Sequence, residues 1–385
     1  MQNLAIWNNP RFRAWIFQIL AVLLVGGFFA MLVVNTVANL RQLNVASGFS
    51  FLSHTAGFGI SQTLVGYSEA SSYGRAFLVA LLNTLLVAGI GIFLAAILGF
   101  VVGIARLSSN WLVARLATVY IEIFRNIPLL LQILFWYTAV LSNLPAPRNS
   151  LEIGSLLINN RGMYLPAPVA EAGFGSVAAA AAVALLGVVF LRYWSNVRRT
   201  ATGRGVPVFW PALGLLTGLP LIVFWLAGSP LHFEAPVLRG FNFTGGIRAI
   251  PELLALLFAL SIYTAAFIAE IVRSGIQAVN WGQSEAAMAL GLRRTEALRL
   301  VVLPQALRVI IPPLTSQFLN LTKNSSLAAA LAYPELASVF AGTVLNQTGQ
   351  AVEVLTITMA VYLSLSLLTS LAMNFYNSRI ALVER

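Results

Sequence analysis

GQSEAAMALGLRRTEALRLVVLP, residues Gly282 to Pro304, is a charged, amphipathic stretch of 23 residues between two long apolar runs. It reads as a helix, a turn and a second helix. Residues 283–290 make the short first helix. Gly291 is placed to stop it, because glycine enters the left-handed conformation at little cost. Thr295 is placed to cap the second helix. There Ala297, Leu298, Val301 and Val302 recur at helical spacing. Ala286 and Ala287 offer a small-sided surface that another protein can approach closely. Glu285 supplies an anionic contact, and Arg293, Arg294 and Arg299 supply cationic ones. A solvated amphipathic helix lying at lipid headgroups would show the same pattern.

The surroundings of this stretch are hydrophobic. Of 385 residues, 59% are hydrophobic and 9% charged, where a soluble domain carries about a quarter charged. Runs of roughly 20 apolar residues, each long enough to cross a bilayer core, predict an all-α polytopic membrane protein. Eight spans are expected, near 14–36, 76–105, 112–142, 174–194, 206–228, 250–276, 304–324 and 353–376. The first follows Arg11 and Arg13 with no small-residue cleavage site, so it reads as a retained span. With those arginines inside, the inner segments hold 15 of the 23 basic residues and the outer segments 7, Arg125 falling within a span. That asymmetry predicts both termini in the cytoplasm. The outer loops 37–75 and 143–173 are rich in Gly, Pro, Ser and Asn and read as ordered caps or coil. Gly99 and Gly103 permit close helix packing.

Several chemistries are excluded or unsupported. The net charge of +11 is what a positive-inside bias produces, and its distribution over short loops argues against nucleic-acid binding. There is no cysteine, hence no disulfide, thiolate nucleophile or Cys-bound metal. His54 and His232 lie in separate loops and form no ligand pair. The single lysine, Lys323, follows no Gly-rich loop, so a phosphate-cradling GxxxxGK[ST] motif is missing. HExxH and GxSxG are also absent, so no catalytic residue is expected. Glu122 and Glu270 each have an arginine three residues on, Arg125 and Arg273, sharing a helix face; internal pairing is the simpler reading and ion coupling the other. No internal repeat is visible. Transporters are commonly built from two related halves, so the second half is expected in a partner subunit.

The loop is specific enough to name a resemblance. Glu285-Ala286-Ala287, three residues, Gly291, nine residues and Val301-Val302-Leu303-Pro304 resemble the EAA loop of binding-protein-dependent ABC importer permeases, with Val301 in place of isoleucine. YIEIFRNIPLLLQ at 120–132 is similar to the second core helix of polar amino acid uptake permeases, with Asn126-Ile127 where Gly-Thr is usual. NTLLVAGIG at 83–91, GIARLSS at 103–109, AEIVRSGIQAVNWGQSEAA at 269–287 and LTKNSSLA at 321–328 fit the same family, the last with Asn324-Ser325 for the usual Asp-Thr. The resemblance covers about 76–142 and 250–377. It implies a type I (MetI-like) permease core of five helices, enlarged by the spans at 14–36, 174–194 and 206–228 as in general L-amino acid uptake permeases.

The resemblance also implies a role. The chain is expected to be a non-catalytic subunit in a bacterial inner membrane. It would accept an amino acid from a periplasmic binding protein and pass it inward by alternating access. Expected partners are a second, similar permease in a heterodimer, two ATP-binding subunits holding ATP and Mg, the binding protein and the lipid bilayer. Coupling to the ATPase falls to Glu285, Ala286, Ala287, Gly291, Arg293 and Arg294. Polar residues of the core spans are pathway candidates: Asn83, Gln132, Tyr137, Tyr263, Thr264, Gln317, Asn320, Thr322, Lys323 and Asn324. Lys323 is expected near the outer mouth, and hydrogen bonding between helices is the competing role for each. Pro128, Pro312 and Pro313 interrupt helical ladders, and broken helices often line a pathway. The expected domains are an N-terminal span and periplasmic loop at 1–75, a permease core at 76–377 with inserted spans and loops at about 143–249, the coupling loop at 282–304 and a cytoplasmic tail at 378–385. A self-sufficient secondary carrier or channel for small polar solutes is the alternative, lacking here an evident coupling site or repeat.

Overall fold

The computed structural model describes residues 10–42, 48–203, 205–240 and 242–380. Arg204, the first nine residues and 381–385 of the expected tail lie outside the described residues. Among the described residues, seven helices are long and apolar enough to cross a membrane, and a broken pair makes an eighth candidate. The chain adopts the expected polytopic fold and is mostly helical.

The chain divides into two compact units, one formed by residues 1–133 and 256–385, the other by 134–255. In the first, α1 (Pro10–Gln42) buries none of its apolar window. It continues six residues past the expected span. The segment from Phe49 to Ser72 is ordered, and its Phe51 and Ala56 are buried with Tyr73, Leu336 and Phe340. α2 (Tyr73–Arg106) begins at Ser72, whose hydroxyl accepts from Arg75 N. α3 (Trp111–Asn126) is capped by Asn110 Oδ1, which accepts from Leu112 and Val113 N.

The expected single span 112–142 is broken. Pro128 lacks an N–H and restricts Ile127 to extended backbone, so the chain bends by 105° before α4 (Leu129–Leu134). Pro312 and Pro313 do not interrupt their helix as expected, for α10 (Leu303–Asn324) runs through both. Between these come α7 (Pro251–Gln277), α8 (Trp281–Ala289) and α9 (Arg294–Ala297). After α10 come a π-helical stretch Ala337–Val344, α11 (Leu345–Thr348) and α12 (Ala351–Ile380).

The core helices cross closely at glycines. A β-carbon on Gly99 would lie 2.6 Å from Ile268 side-chain atoms, and one on Gly103 2.7 Å from Ala269 O. α2 and α7 therefore meet backbone to backbone, and only a residue without a side chain fits. Gly275 meets Ile310 in the same way, at 2.3 Å, joining α7 to α10.

The second unit reads in sequence as two spans and loops. Among its described residues are helices α5 (Phe174–Thr202) and α6 (Phe209–Leu226), and also eight short strands. β1 (Leu151–Ile153), β2 (Leu156–Asn159), β3 (Gly162–Leu165) and β8 (Ile247–Ala249) form one antiparallel sheet. β4 (Ala167–Ala170) pairs with β5 (Leu231–Glu234), and β6 (Val237–Arg239) with β7 (Asn242–Thr244). The loop 143–173 is thus an ordered cap, since its backbone groups find partners across a sheet. Gly187 lets α5 approach Leu215 of α6, and Ser195 Oγ donates to Val206 O at 3.0 Å.

Candidate functional site

The loop at 282–304 is built as a rigid elbow. Asn280 Oδ1 caps α8 by accepting from Gly282 N at 2.9 Å. The helix ends with Gly291 at φ +86°. Leu292 N then donates back to Ala287 O at 3.2 Å and Gly291 N to Met288 O at 2.9 Å, which closes carbonyls that a helix end leaves open. The next cap is not Thr295. Arg293 stands at the cap in extended backbone, and Glu296 Oε2 accepts its N–H at 2.8 Å; Thr295 lies one residue inside the helix. A π-helical turn, Leu298–Val302, carries α9 into α10.

The loop has an anchored side and an open side. Ala287, Ala297 and Val302 are buried. Ala287 therefore faces its own chain, and Ala286 alone of the pair lies on the surface. Gln305 Nε2 donates to Gln283 Oε1 at 3.3 Å, tying α10 to α8. Glu285, Arg293 and Arg294 are exposed, with Glu285 Oε1 accepting from Trp281 Nε1 at 2.9 Å. Trp281 is 70% exposed and Leu290 84%. Trp281 lines a cleft of about 560 Å³ together with residues 276–280, Ser284, Leu298 and Val302. Upstream, Glu270 of α7 pairs with both Arg273 and Arg106, the last residue of α2. The expected Glu270–Arg273 pair forms, and the Glu122–Arg125 pair does not. Arg125 instead sits 5.1 Å from the ring centre of Phe267.

The pathway candidates separate by what they touch. Asn83 is fully buried and donates to Gln62 O and Pro334 O, each at 2.9 Å. Gln132 donates to Phe124 O and Ile127 O, each at 3.0 Å, so it closes the carbonyls freed by the Pro128 break. Thr322 Oγ1 returns to Phe318 O at 2.9 Å, and Thr264 is buried. In the second unit Tyr137 OH donates to Glu252 Oε1 at 3.1 Å. Tyr263 packs on Phe267 with ring centres 4.9 Å apart. Gln317 and Asn324 are half-buried; Asn320 and Lys323 are exposed. Lys323 lines a cleft of about 310 Å³ with Thr358, Met359, Tyr362, Leu363 and Ser366 of α12.

Glu335 carries no sequence motif that marks it as functional. It is fully buried, accepting from Ala337 N at 2.9 Å, Ser338 N at 2.7 Å and Tyr362 OH at 2.5 Å. Burial raises its carboxyl above the ordinary range while these hydrogen bonds pull it down. An acidic residue directly after Pro334, at a helix start, is the one signal that could have found it.

Residues 197–382 match the family model for the binding-protein-dependent transport system inner membrane component. YhdX of Escherichia coli (strain K12), named as a putative amino-acid ABC transporter permease protein, is 56% identical over 98% of this chain and 96% of its own. The chain belongs to the amino-acid ABC transporter permeases. AapQ of Rhizobium johnstonii, a general L-amino acid transport system permease protein, is 53% identical to this permease over 98% of the chain and 94% of its own. BztB of Rhodobacter capsulatus, a glutamate/glutamine/aspartate/asparagine transport system permease protein, is 44% identical over 98% and 96% respectively. The permease is thus a multi-pass inner-membrane transport component. Its relatives match the inserted unit as well as the core.

Proposed function

We propose that this permease carries amino acids inward, taking them from an extracytoplasmic binding protein and using ATP hydrolysed by two separate subunits. The observation that carries this reading is the two-sided loop. Its Ala287, Ala297 and Val302 are buried and its Gln283 is tied to Gln305 of α10, while Glu285, Leu290, Arg293 and Arg294 are exposed. Leu290, almost fully exposed at the turn, is available as an apolar contact for a protein partner. Force applied to a loop so anchored moves the helices; a floppy loop would absorb it. Both termini and the loop then lie on the ATPase side. A sister permease supplies the second half of the pathway.

The test is reconstitution with candidate ATPase, binding protein and sister permease, followed by ATP-dependent uptake of labelled amino acids. Uptake that needs every partner and fails in Glu285→Arg supports the proposal. Uptake by this chain alone, driven by an ion gradient, replaces it with a secondary carrier.

A further inference from the structure

The hairpin of α5 and α6 carries charge without a counter-charge. Between Glu171 and Glu234 the sequence has four arginines, Arg192, Arg198, Arg199 and Arg204, and no acidic residue. Elsewhere in the chain arginines find a carboxylate, as Arg106 and Arg273 do at Glu270. Among the described residues neither Arg192 nor Arg199 forms an ion pair. Arg198 lies 5.6 Å from the ring centre of Trp194, so an aromatic face holds it.

Arg192 also borders an apolar groove. A cleft of about 320 Å³ runs between the two helices, walled by Val188 and Arg192 of α5 and by Phe209, Ala212, Leu213 and Leu216 of α6. Among the described residues Arg192 is the one charged side chain on that wall. Ser195 Oγ fixes the returning chain at Val206. The Arg199 stem lies against Gly205, where a β-carbon would stand 3.5 Å from Arg199 Cδ. Arg192, Ser195 and Arg199 are three and seven residues apart, so they share one face of α5, with the two arginines roughly 10 Å apart along its axis. Tyr193, Trp194, Phe209 and Trp210 are exposed at the same end of the hairpin, and α6 buries none of its apolar window.

These features select a ligand. A guanidinium with no carboxylate calls for an anion with several acceptor oxygens, and phosphate matches its fork of donors. A groove that is otherwise apolar calls for hydrocarbon. A phospholipid with a net negative head group offers both at once. Free phosphate would leave the groove empty, and a zwitterionic lipid brings an ammonium of its own to compete for the phosphate. Aromatic rings and arginines at the end of apolar helices are the composition of a bilayer interface, and basic pockets between such helices suit anionic head groups.

We propose that the α5–α6 hairpin binds an anionic phospholipid, its phosphate held by Arg192 and Arg199 and one acyl chain lying in the groove against Phe209, Ala212 and Leu213. The site belongs to the inserted unit and does not depend on which solute the permease carries.

The test uses the full chain, purified in mild detergent and stripped of lipid, and follows binding of added phosphatidylglycerol by native mass spectrometry, with phosphatidylcholine for comparison. The parent should prefer phosphatidylglycerol. Arg192→Gln is expected to weaken its binding about tenfold, the scale of a lost hydrogen bond to a charged group, and Arg199→Gln to weaken it less. Arg115→Gln removes the same unit of charge from an exposed position of α3 and should bind like the parent. Ala212→Phe keeps every charge but fills the groove, and should also bind weakly. Inorganic phosphate in large excess should not displace the lipid. Thermal unfolding identifies any variant that fails to fold, and the lipid comparison and phosphate competition need no variant. Unchanged binding in Arg192→Gln or Ala212→Phe, equal losses in Arg192→Gln and Arg115→Gln, or displacement by phosphate would each overturn the site. Equal binding of the two lipids would also overturn it and return the groove to a protein partner of opposite charge.

Discussion

At Gly291 the backbone takes φ +86° with open space where a β-carbon would sit, so a side chain there is opposed by conformation and not by a neighbour. A leucine in that region costs roughly 1–2 kcal/mol, whereas asparagine tolerates it. Gly291→Leu is therefore expected to lose ATPase co-purification and coupled uptake, and Gly291→Asn to keep most of both. Equal behaviour of the two would show that the turn is not what the partner reads. Asn83 sets a second test. It stands ten residues into α2, about 15 Å from the helix start, and its amide holds one carbonyl from the 54–72 segment and another at Pro334. Asn83→Leu leaves both carbonyls unsatisfied, for a loss of about 2–4 kcal/mol, read as a lower unfolding temperature in detergent. Sequence made Gly291 legible because one residue type answers one backbone need. It left Thr295 misplaced, because the carboxylate of Glu296 takes the Arg293 N–H from inside the helix. It left Ala287 misplaced too, since two adjacent alanines look alike until the helix phase is fixed.

Among the elements, helices were legible and strands were not. A span announces itself by roughly 20 apolar residues. The strands are three or four residues long, and β1 is exposed at every position, so no alternation marks it. Their partners also come from distant sequence, as β3 and β8 do. The break at Pro128 was hidden inside one apolar run, although the same residue type in α10 broke nothing. Proline disrupts a helix by a clash and a lost bond, and neighbouring structure decides whether those are tolerated. Glycine can be tested within one chain. Gly99→Val places its β-carbon 2.6 Å from Ile268, whereas Gly26→Val in α1 meets nothing within 4 Å. Overpacking commonly costs about 1–3 kcal/mol. The Gly99→Val chain should unfold several degrees earlier, and Gly26→Val should match the parent within error. A Gly99→Val chain as stable as the parent would show that α2 and α7 do not pack as closely as the geometry requires.

For the molecule as a whole, topology links the coupling loop to the transport direction. The charge asymmetry predicts both termini and residues 282–304 on the inner side, with the ordered 48–72 segment and the sheet of β1–β3 outside. The proposed function depends on that assignment, because a binding protein delivers from one side and an ATPase works on the other. The absence of cysteine makes the assignment directly measurable without removing any native thiol. Ser68 and Asn160 are exposed on the segments expected outside, and Thr295 and Thr200 are exposed on those expected inside. A membrane-impermeant maleimide applied to intact spheroplasts should label Ser68→Cys and Asn160→Cys. Thr295→Cys and Thr200→Cys should react only after permeabilisation, and the parent chain should not react at all. Labelling of Thr295→Cys in intact spheroplasts would place the loop out of reach of a cytoplasmic ATPase and remove ATP coupling through it. Labelling of Thr200→Cys alone would move only the α5–α6 hairpin and leave the coupling loop inside, since that hairpin belongs to the inserted unit and its sidedness is set by the arginines at its own turn, Arg198 and Arg199.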